Sequence, residues 1–113
     1  MHDQEVDSSA VPNPCAQIAG LHPAHAGPPV AAGPDVLEIE FDRPMASAIH
    51  LFGELPQVTG SPCWDEDGRV LRIPVALSPG MRYRLSFNEG ISGGFRGAAG
   101  EVLAPREWIF DVA

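Results

Sequence analysis

The chain has 113 residues and a formal net charge of −8, because 15 acidic residues outnumber seven basic ones, all of them arginine. This length is typical of one domain. So few cations cannot neutralise a run of phosphates, so we expect neither a nucleic-acid partner nor attraction to an anionic membrane surface. We also expect no membrane insertion, because no apolar run approaches the roughly 20 residues of a membrane span.

The N-terminal part is rich in proline. Residues 1–14 are polar and acidic and end in Pro-Asn-Pro, which predicts a flexible leader without the hydrophobic stretch of a signal peptide. The folded domain is therefore predicted over residues 15–113. Ala16 to Leu21 is a candidate first strand. His22 to Pro34 holds four prolines, which indicates a loop with room for an irregular piece of edge strand.

The clearest element is Val36 to Phe41, where apolar and polar residues alternate. On an extended backbone Leu37, Ile39 and Phe41 point to one face. Val36, Glu38 and Glu40 point to the other. This pattern predicts a half-buried strand, closed by a turn at residues 42–44, Asp-Arg-Pro.

Five further elements follow. Met45 to Leu55 is either a short helical turn or a strand centred on Ile49 to Phe52, and Gln57 to Thr59 is a brief strand. Trp64 precedes an Asp-Glu-Asp-Gly turn that predicts a hairpin, with Arg69 to Ala76 as its return arm. The remaining predicted strands are Tyr83 to Asn88, after a Pro-Gly turn, and Trp108 to Val112.

Together these elements make about seven short strands separated by turns. The 12 Gly and 12 Pro residues punctuate the apolar runs, and no long stretch carries an apolar stripe of helical period. The sequence therefore predicts an all-β fold, an antiparallel sandwich of two sheets. Tyr83 is expected to bury its ring and bond the backbone across the preceding corner. The other large residues expected in the core are Met45, Trp64, Phe87, Trp108 and Phe110.

Several motifs stand in an order that resembles a bacterial Ig-like domain of the SbsA (Ig-like 5) type. They are a Phe-x-x-Pro-Met strand end, an Asp-Gly hairpin and a Leu-x-Pro-Gly-x-x-Tyr turn, and the resemblance covers about Gln17 to Val112. The late loop, Gly97 to Glu101, lacks the aspartate common in that family. The matching residues are Phe41, Pro44, Met45, Asp67, Gly68, Leu77, Pro79, Gly80 and Tyr83.

The resemblance implies an Ig-like sandwich that works as a non-catalytic structural or interaction module. In that family such domains are accessory or spacer parts of larger bacterial proteins, which are exported or belong to the cell surface. The expected partner is an unknown protein or cell-envelope component, bound through a sheet edge or the Pro/Gly loops. We expect a monomer without a cofactor.

The common sequence motifs of catalytic sites are missing from the chain. The sequence has no H-E-x-x-H, no G-x-S-x-G, no phosphate loop and no C-x-x-C, so we expect no enzyme activity. Gly94 to Gly97 lacks the lysine of a phosphate loop and indicates a bulged or mobile connection. Asp65 to Asp67 crowds three carboxylates, which fits either a solvated turn or a weak calcium site.

Three other features leave alternatives open. His22 and His25 flank a proline and, with Met45 or Met81, are weak candidates for binding copper. Periplasmic copper-resistance carriers have a similar Ig-like sandwich, which makes such a carrier the alternative function, although no histidine stands in the late loop. An exposed Trp64 could stack on a sugar. Cys15 and Cys63 are either a possible disulfide or two thiols.

Overall fold

The computed structural model of the chain describes residues 15–47, 51–87 and 95–113. These residues form eight β-strands and no helix, which confirms the all-β prediction with one strand more than the expected seven. The predicted leader, His50 and Gly94 lie outside the described residues. The strands are β1 (Ile18–His22), β2 (Gly33–Phe41), β3 (Leu51–Gly53), β4 (Gln57–Val58), β5 (Cys63–Trp64), β6 (Val70–Leu77), β7 (Arg82–Phe87) and β8 (Arg106–Asp111).

The strands form two antiparallel sheets that pack as a sandwich. The first sheet has the order β1-β2-β6, and β4 and β5 both pair with the far side of β6; the second has the order β3-β7-β8. With β4 and β5 counted as one edge strand, this is the A-B-E-D and C-F-G order of a constant-type immunoglobulin sandwich.

Strand β2 confirms the predicted alternation. Leu37, Ile39 and Phe41 are buried, whereas Glu38 and Glu40 lie on the outer face. The strand begins three residues earlier than predicted, at Gly33, because the backbone pairs with β6 over its whole length. One face of period-two side chains therefore fixes the register of the central pair of strands.

Both sheets contribute to one hydrophobic core. The Phe95 ring lies between them, with its centroid 5.5 Å from that of Phe41 and 5.8 Å from that of Phe87. The glycine-rich segment was predicted only as a connection, but it supplies this fully buried aromatic ring. Trp64, predicted in the core, is half-buried at its border. The expected burial of Met45, Tyr83, Phe87, Trp108 and Phe110 is confirmed.

Strands β4 and β5 are two halves of an edge strand interrupted opposite Pro74. Val58 pairs with Val75, and Cys63 pairs with Arg72. Between these pairs the Thr59 N–H donates to the Pro74 carbonyl at 2.9 Å, but Pro74 has no N–H to return a bond. The ladder therefore breaks there, which explains why this edge consists of two-residue strands.

Two predicted corners are confirmed. In the β5–β6 hairpin, Gly68 has a φ of 69°, and its N–H donates to the Asp65 carbonyl at 3.1 Å. At the β6–β7 corner the buried Tyr83 hydroxyl accepts a hydrogen bond from the Ser78 N–H at 3.1 Å. A tyrosine bonded to the backbone at this corner also occurs in immunoglobulin-type sandwiches.

Candidate interaction surface

The backbone pairing of β2 shows which backbone groups of β1 point away from the sheet. The Phe41 N–H donates to the Arg69 carbonyl at 2.8 Å, so odd-numbered residues of β2 bond towards β6 and even-numbered ones towards β1. Glu40 therefore bonds Gly20, its registered partner. Leu21, the next residue of β1, points its N–H and C=O away from the sheet.

An extra residue interrupts this open edge. The β1–β2 register shifts between Ile18 and Gly20, which leaves Ala19 as a bulge. At the other end of β1 the chain turns away at Pro23, which has no N–H to offer. The open edge of β1 is therefore short, with Ile18 and Leu21 as its outward-facing backbone positions.

An open depression of about 200 Å³ lies on the outer face of β1 and β2. Gly20 has no side chain, and a Cβ built there would lie 3.4 Å from Glu40 Oε1. Glu38 is held by Arg72, whose Nε lies 2.8 Å from Glu38 Oε2, whereas no described basic side chain forms an ion pair with Glu40. The Glu40 carboxylate therefore gives one side of the depression a negative charge. Its lining residues are Gly20, Leu21, His22, Glu38 and Glu40.

The edge of β8 is covered by the segment of residues 23–30, which we call the strap. The Ala26 N–H donates to the Ile109 carbonyl at 2.7 Å and the Val30 N–H to the Asp111 carbonyl at 3.0 Å. The Ala113 N–H donates back to Val30 at 2.8 Å. The strap is the irregular edge piece expected in the proline-rich loop, and it pairs with the second sheet rather than the first.

Two side-chain bonds fasten the strap. The Trp108 indole N–H, fully buried, donates to the Pro23 carbonyl at 2.8 Å. The Ile109 N–H donates to His25 Nδ1 at 3.0 Å. A buried indole N–H and an edge amide both need an acceptor, and the strap supplies both acceptors.

The two candidate copper ligands are already engaged in protein contacts. His25 uses Nδ1 as the acceptor just described, and His22 Nε2 lies 3.3 Å from Asp35 Oδ1. Neither bond involves Met45 or Met81; Met45 is buried in the core and Met81 is exposed. Among the described residues, no three His, Cys, Asp or Glu side chains are grouped so that they could hold a metal ion.

The structure has no disulfide between Cys15 and Cys63. Cys63 lies in β5 and Cys15 precedes β1, and these two strands are opposite edges of the first sheet. Three interstrand spacings amount to roughly 14 Å, whereas the Cα atoms of a disulfide lie within about 7 Å. The sequence alone could not show that β2 and β6 separate these strands.

Trp64 and the acidic turn have structural contacts. The Trp64 ring centroid lies 5.7 Å from that of Phe41, and its indole N–H donates to the Ser47 carbonyl at 3.1 Å. Asp65 Oδ1 accepts hydrogen bonds from the backbone N–H groups of Val70, at 3.1 Å, and Arg69, at 2.9 Å. These bonds lower the pKa of Asp65, and the bond from the Val70 N–H has the largest effect. Its carboxylate therefore caps the hairpin.

Carboxylate–arginine contacts anchor the chain before β1. Arg43 Nε donates to Asp42 Oδ1 at 2.9 Å, and this bond lowers the pKa of Asp42. Asp42 Oδ1 also accepts a bond from the Gln17 N–H at 3.1 Å. Arg43 Nη1 lies 3.3 Å from Glu101 Oε2, and the Ala99 N–H donates to Glu101 Oε1 at 3.2 Å. Glu101 thus anchors the late loop, residues 97–101.

Comparisons with known proteins found no matching family model, curated protein or solved structure. In the part of the chain that the structure describes, no helix has the length and apolarity needed to cross a membrane.

The sequence prediction missed two features of this surface, namely the pairing of the strap with β8 and the close approach of Gly20 to Glu40. A signal existed for the second, since glycine within a strand pattern marks a bulge or a close approach.

Proposed function

We propose that this chain is a non-catalytic Ig-like module that acts as a spacer or accessory domain within a larger exported or surface protein and offers a sheet edge to a protein partner. The observation that carries the proposal is the strand order, which among the described residues has a covered edge at β8 and an open edge at β1. The Tyr83 corner and the continuous core favour a structural role.

The placement of the first and last described residues supports the spacer part of this proposal. The Ala16 N–H donates to the Val102 carbonyl, and the Ala104 N–H donates to Ala16, just before β8 begins. Ala113 lies beyond the other end of β8, beside Val30 and Gly80. Ala16 and Ala113 therefore lie at opposite ends of β8. Nine residue steps of extended chain, from Ala104 to Ala113, span roughly 30 Å. This separation suits domains arranged in series.

A fusion experiment tests the spacer role. The chain is placed between two stable fluorescent domains, and energy transfer and the unfolding transition of the middle domain are measured. We expect an unchanged transition and a fixed separation, which Trp108→Ala abolishes because removing a buried tryptophan costs about 3–5 kcal/mol. Loss of folding on fusion at either end would contradict the proposal.

A substrate panel tests the non-catalytic part. Purified protein is incubated with chromogenic esters, glycosides, phosphate esters and peptides, and no turnover above that of heat-unfolded protein is expected. Turnover that persists through repurification and disappears in Glu40→Gln, a change at the depression on β1, would show that this surface is an active site instead.

A further inference from the structure

We propose that the open edge of β1 accepts an extended segment of a partner protein as an added strand, with a basic side chain of that segment lying over Gly20 against Glu40. This inference rests on the module function proposed above and names the surface and the chemistry of its partner. Strand addition is a common way of binding an extended peptide, since the edge supplies backbone donors and acceptors in register.

The other described edges are less suited to an added strand. The strap already occupies β8 through three backbone hydrogen bonds. The β4–β5 edge is interrupted opposite Pro74, and β3 has only three residues. With five residues, β1 is the longest single strand at an open edge in the described part of the chain, and Leu21 presents both an N–H and a C=O there.

The charge beside this edge determines the kind of partner. Glu40 lies over Gly20 with no described ion-pair partner, whereas Glu38, two residues away on the same face, is already paired with Arg72. A guanidinium or ammonium group next to Gly20 would pair with Glu40 without a steric clash, because Gly20 leaves the space open. The chain's net charge of −8 favours encounter with a basic segment.

The same charge disfavours a second copy of this chain as the occupant. Pairing of two β1 edges would place two β1 strands side by side, and β1 has the sequence IAGLH, without an arginine or a lysine. A second copy would therefore offer no guanidinium or ammonium group to Glu40, and the glutamates of the two β2 strands would lie three strand spacings apart, roughly 14 Å. The Ala19 bulge and Pro23 limit the number of ladder bonds, so we expect weak, reversible binding of a partner segment.

The binding test uses two synthetic seven-residue peptides with capped ends. Both alternate threonine and valine, and the central residue is arginine in one and glutamate in the other. Binding is followed by fluorescence anisotropy and by backbone amide NMR shifts of the labelled protein. We expect the arginine peptide to bind at least about tenfold more tightly, to shift the amides of residues 18–22, and to weaken with added salt.

Two pairs of variants separate the backbone from the charge. Leu21→Pro removes the outward N–H but leaves the bonds to β2, so binding of the arginine peptide should fall about tenfold, whereas the matched Leu21→Val should bind like the wild type. Glu40→Gln should reduce the arginine preference several-fold, and Glu40→Arg should reverse it in favour of the glutamate peptide. If Leu21→Pro does not fold, the Glu40→Gln and Glu40→Arg variants still test the inference.

Four results would overturn the inference: no binding of either peptide, equal binding of both, shifts centred on β3 or β4, or unchanged affinity in folded Leu21→Pro. A dimer of the protein alone that Leu21→Pro dissociates would identify a second copy as the occupant instead. None of these results affects energy transfer in the fusion experiment, so failure of the edge and failure of the spacer role can be told apart.

Discussion

The edge strands β1 and β8 face the same physical problem, unpaired backbone groups, and the chain treats them differently. At β8 the strap supplies backbone partners, a buried acceptor for Trp108 and an imidazole for the Ile109 N–H. At β1 no described segment pairs with the edge, which carries a bulge, a terminal proline and nearby carboxylates.

The difference shows that two kinds of edge protection have different consequences. A covering segment satisfies the edge completely and links it to the core, so opening it should cost stability. A short, bulged and charged edge prevents unselective pairing but leaves a few donors and acceptors for a segment of matching charge. The following predictions test this contrast, starting with the largest expected effect.

Trp108→Phe tests how firmly the strap is tied to the core. It leaves the buried Pro23 carbonyl without its donor and opens a small cavity, so we expect the free energy of unfolding to fall by about 2–4 kcal/mol in urea titration. Trp64→Phe is the matched control, since its indole N–H also bonds a carbonyl but at a half-buried site; its loss should stay below about 1 kcal/mol. Equal effects would refute the strap's role as a core contact.

His25→Ala tests the imidazole that accepts the Ile109 N–H. Losing that acceptor should lower the free energy of unfolding by about 1 kcal/mol and speed hydrogen exchange at the Ile109 amide. His22→Ala removes only an exposed contact with Asp35 and should change stability by less than about 0.5 kcal/mol. Unaltered exchange at Ile109 in the His25 variant would mean that the ring does not protect the β8 edge.

The pH dependence should distinguish the anchor before β1 from the strap. Arg43 lowers the pKa of Asp42 in the folded chain, so its stabilisation is complete above the unfolded carboxyl pKa of about 4 and is lost as the pH falls through the lower folded value. Protection of the Gln17 amide should therefore decline in acid before that of Ala26 and Val30, whose acceptors are backbone carbonyls.

Asp42→Asn supplies the control for this pH prediction. Stability measured by urea titration from pH 7 down to pH 2 should fall less steeply in this variant, because one carboxyl with a lowered pKa has been removed. An identical slope in wild type and variant would show that the Asp42–Arg43 contact is fully screened by solvent.

Gly20→Ala should have the smallest effect on stability. The added Cβ meets Glu40 Oε1 at 3.4 Å, an ordinary contact, so the free energy of unfolding should change by no more than about 0.5 kcal/mol. Binding of the arginine peptide should nevertheless weaken, because the methyl group enters the depression. Full affinity with the methyl group present would place the basic side chain elsewhere.

Much of the fold could be predicted because its signals are local. The alternation in β2, the Asp-Gly hairpin before β6 and the corner at Tyr83 all depend on residues close in sequence, and the structure confirms each of them. The candidate site could not be predicted in this way. Its open edge exists because β1 lies outermost in the sheet, which is a property of strand order.

By itself the sequence determined which segments become strands and which faces they bury, because period-two patterns and turn residues act within a few positions. Only the tertiary structure decided that the strap covers β8, that Phe95 fills the core and that Cys15 and Cys63 lie on opposite edges of a sheet. The Trp108–Pro23 bond joins residues 85 positions apart. Such contacts follow from how the sheets are ordered and packed, which no short window of the chain specifies.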